Sequence, residues 1–294
     1  MAERNKLNKV FIVGTVVEVN TQVREGNGKK YVNGKVVIKT TINDVENLID
    51  CKVLAFEKTK SGEISKMFTN YCGLDGYLNK RVRVSAELAE NFIPDQTNGT
   101  LKKFNQVNLK FINPAKSDDV DTATFEFNGF VVKPIYERKN KDDETIGYRI
   151  EIAQANYNNS NIQVIRFDVN AQDVNIVNAI EANYEAGATV EISGMLSSIS
   201  TTETRTEEVA FGEPVVKTFV NTNRQYRITG GKEVIGEESP DYYPPEEIKQ
   251  LVAAYKQADV ERLAKAKEKE VGGEPETAPA QNSMASKIRT SSLI

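Results

Sequence analysis

The sequence contains no histidine and no tryptophan, and only two cysteines. Without histidine there is no imidazole for a nucleophilic triad, a proton relay or the common catalytic zinc site. Cys51 and Cys72 are too few for a disulfide framework and lack metal-ligand spacing. One lies in an apolar strand-like run and the other in a helix-like stretch, so both are expected to be core thiols. No GxxxxGK[ST] loop occurs, nor any GxGxxG opening a helix after a strand. No apolar run approaches about 18 residues, the length that spans a membrane. The start, "MAERNKLNKVFIVG", has no apolar secretory core. These absences leave catalysis without support and give no reason to expect a cofactor or a metal. The chain is expected to be cytoplasmic (host cytoplasm for a virus).

What is present is short β-type sequence, arranged twice. The 294 residues suffice for two ordinary domains. In the first half, alternation predicts strands at 9–20, 35–42 and 47–58, a helix at 65–75, and strands at 80–93 and 105–113. The second half repeats the order: strands at 124–138, 147–157 and 161–171, a helix at 173–185, and strands at 188–200 and 215–228. Asp173 is placed to cap that helix, with Val174, Val177 and Ile180 on its apolar face. Five strands with a helix between the third and fourth is the order of the OB-fold, a small Greek-key barrel that binds oligonucleotides. The expected fold is mainly β: two tandem OB-fold-like five-stranded barrels, each with one helix, then a C-terminal helix and a disordered tail. Boundaries are drawn at 1–117, 118–239, 240–270 and 271–294. In the third segment Glu246 and Glu247 suit a first helical turn, and Ile248, Leu251, Val252 and Tyr255 form an apolar stripe. The closing "MASKIRTSSLI" reads either as a docking peptide or as a frayed end.

The net charge of −4 conceals a division. Residues 1–117 carry 19 basic and 12 acidic side chains, or +7, whereas residues 118–239 carry 11 and 21, or −10. A positive domain attracts a polyanion and a negative one repels it. Nucleic-acid contact is therefore expected of the first domain. Protein contact, including self-association, is expected of the second.

Strand alternation sharpens this expectation. Lys35, Val37 and Lys39 share a face opposite Val36 and Ile38. Lys52, Leu54, Phe56 and Lys58 oppose Cys51, Val53 and Ala55. Arg81, Arg83 and Ser85 oppose Val82, Val84 and Ala86. One side fills a barrel, while the other offers cations for phosphates and a ring for base stacking. The connections at 24–34, with Lys29, Lys30 and Tyr31, and at 94–104, with Lys102, Lys103 and Phe104, read as flexible basic loops flanking that face. Phe104 reads equally as a core residue, and Tyr71 and Tyr77 read as packing residues.

At "NKVFIVGTVVEVN" (8–20) the chain resembles the opening strand of single-stranded DNA-binding proteins: an Asn, a base, alternating aliphatics, then Gly14. The resemblance implies an OB-fold protein that coats transient single strands in DNA replication, recombination or repair. Two domains in one chain look more like viral or phage versions than the single-domain bacterial type. The partner implied is single-stranded DNA, with RNA as the alternative strand. The bacterial family's acidic tip closing on Pro-Phe is absent, because the chain ends "KIRTSSLI". Replication or recombination proteins are therefore expected to meet the acidic domain or the tail. The family's stacking tryptophans are also missing, which leaves stacking to Tyr and Phe. Two other readings stand beside this one. One is a viral assembly protein using the barrels as interaction modules. The other is a nuclease binding magnesium through Asp142, Asp143 and Glu144, consecutive acids that equally suit a solvated turn.

Overall fold

Residues of alternating polarity draw the first half into β1 (Asn8–Gly26), β2 (Lys29–Ile42), β3 (Val45–Phe56), β4 (Arg81–Asp95) and β5 (Thr100–Pro114). The structure is a computed structural model, and it describes residues 4–95, 98–156, 159–207 and 215–271. The expected tail, apart from residue 271, lies outside the described residues. β1 pairs with β2 and β4, β2 with β3, and β4 with β5, all antiparallel. A short parallel contact, Cys51 with Val107 and Lys52 with Asn108, joins β3 to β5 and closes a five-stranded barrel. Helix α1 (Lys66–Cys72) lies between β3 and β4, and Ser65 caps it by accepting from the Phe68 N–H. Phe68, Tyr71 and, in the 3₁₀ turn that follows, Leu74 plug the barrel, and the Tyr71 hydroxyl donates to the Leu109 carbonyl.

The second half repeats this connectivity with β6 (Thr122–Lys139), β7 (Thr145–Ala155), β8 (Ile162–Val169), helix α2 (Val174–Asn183), β9 (Thr189–Glu207) and β10 (Val215–Gly231). β6 pairs with β7 and β9, β7 with β8, and β9 with β10, while β8 meets β10 in parallel at Asp168 and Arg227. Both halves thus close in the strand order expected of OB-like barrels. Ile12, Val36, Ile38 and Val53 are fully buried in the first, and Phe127, Phe167, Ile150 and Ile152 in the second. Each such side chain contributes about 1.5–3 kcal/mol relative to leaving it exposed.

The barrels are fastened edge to edge. β1 and β6, the opening strand of each, pair antiparallel from Asn8–Phe127 to Val13–Thr122, so all ten strands form one sheet. The Asn105 side chain bonds both the carbonyl and the N–H of Arg166 on β8 (2.6 and 3.0 Å). Asn47 on β3 accepts from the Ser198 N–H on β9 at 3.1 Å. Helix α3 (Pro245–Val271) then straps the junction. Ile248, Leu251, Val252 and Tyr255, the stripe read from the sequence, pack with Tyr243 on Phe130, Ala153, Ile162 and Val164 of the second barrel.

Three expectations need correction. Cys72 is exposed, and only Cys51 is a core thiol. Burial pushes the Cys51 thiol up to about 12, which leaves it unreactive. The Asp173 side chain makes no capping bond, although its carbonyl accepts from the N–H groups of Ile176 and Val177. Val174 points outward, because the face that meets the barrel is set by Val177 and Ile180.

Candidate nucleic-acid interface

The 24–34 connection is not a flexible loop. β1 and β2 run paired to Gly26 and Lys29, and the chain reverses through Asn27 and Gly28, both at positive φ (52° and 66°). That is the backbone of a type I′ hairpin, and Asn-Gly is the dipeptide that favours it. The signal stood in the sequence as "NGKK". In the second connection, β4 and β5 likewise stay paired out to Asp95 and Thr100. Two stiff arms therefore extend from the barrel where mobile loops were expected.

Register then lays out one outer face. Across β1, β2 and β3 the rows read Arg24–Tyr31–Phe56, Gln22–Asn33–Leu54 and Asn20–Lys35–Lys52. Alternation holds here as expected: Cys51, Val53 and Ala55 are buried, whereas Leu54 and Phe56 are 51% and 49% exposed. The Tyr31 and Phe56 rings stand 5.8 Å apart, tilted by 51°. β5 adds Phe104 and Gln106 beside this face. From the second barrel, Arg224 and Tyr226 of β10 close the far side. The lower part of this face, from Arg24, Gln22 and Asn33 to Asn20, Lys35 and Lys52, lines with them a cleft of about 620 Å³. Gly34 forms part of its wall, because β1 approaches so closely that a Cβ there would lie 2.0 Å from the Asn20 carbonyl oxygen.

The charge of the cleft is lopsided. Among the described residues Arg24, Lys35, Lys52 and Arg224 line it against a single acid, Asp50. Among the described residues no carboxylate lies within ion-pair distance of Arg24 or Lys52. The Lys52 ammonium is pushed below its ordinary range, first by burial and then by the charge of Arg24. An anion placed between them would screen the repulsion and offset the cost of burial by direct attraction. Around the tip of the first arm, Lys29, Lys30, Lys58 and Lys60 line a second hollow of about 570 Å³ with Phe56, Glu25 and Glu57, and Lys30 pairs with Glu57 at 3.3 Å.

The residues read from the sequence divide accordingly. Lys35, Lys52 and Phe104 line the cleft; Lys29, Lys30, Phe56 and Lys58 line the tip hollow; Tyr31 joins the two through its contact with Phe56. Lys102 is exposed on the second arm. Val37, expected beside the lysines on the outer face, is buried. Lys39 is away from the cleft and pairs with Glu46 at 2.9 Å. Arg81 and Arg83 do point outward, but they hold the connection between the barrels: Arg81 meets Asp121 at 2.6 Å and Arg83 meets Asp119 at 2.7 Å. Lys103 faces α3, donating to the Tyr255 hydroxyl at 2.7 Å and pairing with Asp259. Arg24, Asn33 and Gln106 escaped notice because their register was unknown. Arg224 and Tyr226 escaped because they belong to the acidic half. Asp142, Asp143 and Glu144 occupy a hairpin turn organised by Asn140, whose side chain accepts from the Asp142 and Glu144 N–H groups. Among the described residues no cluster of three or more acids or cysteines is placed to hold a metal ion, and no helix is long and apolar enough to cross a membrane.

A family model described as YorF matches residues 6–269. No curated protein matches the chain. Among solved structures, the wild-type single-stranded DNA binding protein from Thermus aquaticus aligns at 11% identity and a TM-score of 0.49, covering 80% of this chain and 96% of that one. A deletion mutant of that protein aligns at 14% identity and a TM-score of 0.47, covering 84% and 100%.

Proposed function

We propose that this chain, which belongs to the YorF family, is a sequence-tolerant single-stranded DNA-binding protein. The observation that carries the reading is an outer face that bears unpaired cations, Arg24 and Lys52, together with the rings of Tyr31 and Phe56, and with Phe104 beside it. Cations follow phosphates, and ring faces stack on bases of any identity. The side-chain amides of Asn20, Gln22, Asn33 and Gln106 add donors and acceptors without a fixed base preference. The reading carries with it a role in replication, recombination or repair. It also assigns protein contacts to the acidic surface of the second barrel.

The test is a titration of the full chain with labelled oligo-dT across a salt series. Affinity is expected to fall linearly with salt on logarithmic axes, with a slope of about −0.7 per phosphate contacted. Mixed-sequence strands of equal length should bind within a few-fold of one another. Undetectable or salt-insensitive binding removes the reading, and running an RNA oligomer in parallel decides between the two strand types.

A further inference from the structure

Among the described residues that line the cleft Asp50 is the only acid, and it sits between two of the four cations. Its Oδ1 lies 3.9 Å from Lys35 Nζ, and Arg224, reaching from the second barrel, donates to its Oδ2. Lys35 also lies 3.2 Å from Glu18. Stability does not account for an acid in this place. The Asp50, Lys35 and Arg224 side chains are 33%, 41% and 55% exposed, and ion pairs so open to water contribute little. In the path of a polyanion, however, the carboxylate acts twice: it repels phosphate and it occupies the cations that phosphate needs.

We propose that Asp50 sets the affinity of the cleft. In the free protein it occupies Lys35 and Arg224, and an incoming strand takes them over with its own phosphates. Binding therefore exchanges one anion for another, and the strand is held loosely enough to be released. Because Lys35 of β2 and Arg224 of β10 converge on this one carboxylate, a single phosphate in its place meets a cation from each barrel. This inference rests on the reading of the cleft as a single-strand site.

The experiment compares oligo-dT binding to the full chain as wild type, D50N and a second neutral variant, D50S, with melting curves to verify folding. D50N and D50S are expected to bind at least three-fold tighter and to dissociate more slowly. E181Q makes the same charge change on α2, away from the cleft, and should leave affinity unaltered. In a K35Q/R224Q background D50N relieves only the repulsion and releases no cation, so its gain should be clearly smaller. If the wild type binds and neither Asp50 variant binds tighter, the inference falls and the functional reading stands. An equal gain from E181Q, or an undiminished gain in the K35Q/R224Q background, reduces Asp50 to its share of the net charge and also overturns the inference. Absence of binding by both wild type and D50N overturns the inference together with the functional reading.

Discussion

The rings of Tyr31 and Phe56 face each other across β2 and β3, 5.8 Å apart, on residues that are direct cross-strand partners. Phe56 is half exposed, and neither ring belongs to the barrel interior. A large apolar ring left in water beside Lys29, Lys30 and Lys58 has its free face available to a base. Replacing either by alanine is expected to weaken oligo-dT binding by about 1–3 kcal/mol, the value of one stacked base. The folded state should lose only the aromatic pair, about 0.5–1.5 kcal/mol. Titration and urea unfolding of the same variants separate the two effects. A loss of affinity no larger than the loss of stability would make the pair structural.

Lys52 is expected to show the opposite balance. Its lowered pKa means that the folded chain holds fewer protons than the unfolded chain between the lowered value and 10.5. Holding the charge thus costs stability at neutral pH, and the cost disappears as pH rises through that window. K52Q should melt at the same temperature as wild type or slightly higher. It should nevertheless bind more weakly and reduce the salt slope by about 1. Wild-type affinity should decline as pH rises through the window, and that contribution should be absent from K52Q.

Arg81 and Arg83 are tied to Asp121 and Asp119 in the connection between the barrels. Neutral variants, R81Q and R83Q, are expected to leave oligo-dT affinity within about two-fold. Each should cost on the order of 1 kcal/mol or less, as partly exposed pairs do. A large loss of affinity with unchanged stability would return these residues to the interface.

Gly34 admits no side chain, since a Cβ would meet the Asn20 carbonyl and the Thr21 Cα at 2.0 and 2.6 Å. Both contacts are backbone, so β1 and β2 must separate to accommodate it. G34A is expected to destabilise the chain by several kcal/mol, at the upper end of single substitutions. It should also weaken strand binding, because the cleft wall moves. Chemical denaturation and the dT titration are the measurements.

The strand order was legible in the sequence because period-two alternation is a local signal: Val36 against Lys35, Val53 against Lys52 and Val82 against Arg81 each show which side is inward. The apolar stripe of α3 was legible for the same reason, through Ile248, Leu251, Val252 and Tyr255. The two arms were readable in part. Asn27-Gly28 carried the turn type, but the lysines around it read as a loop.

Destination was not local. Alternation showed that Arg83 and Lys103 point away from the barrel interior, and it could not show that Asp119 and α3 await them. Net charge by segment separated a basic half from an acidic one, yet charge averaged over a hundred residues says nothing of a single arginine. Arg224 lies 174 residues from Asp50 and meets it only because β1 and β6 pair and bring β9, with β10 beside it, against β3. The sequence alone determined which side of each strand faces water, since that follows from neighbours two residues apart. Which exposed cations remain free for a ligand was decided only when two closed barrels and a strapping helix came together, because ion pairing depends on distance in space and not along the chain.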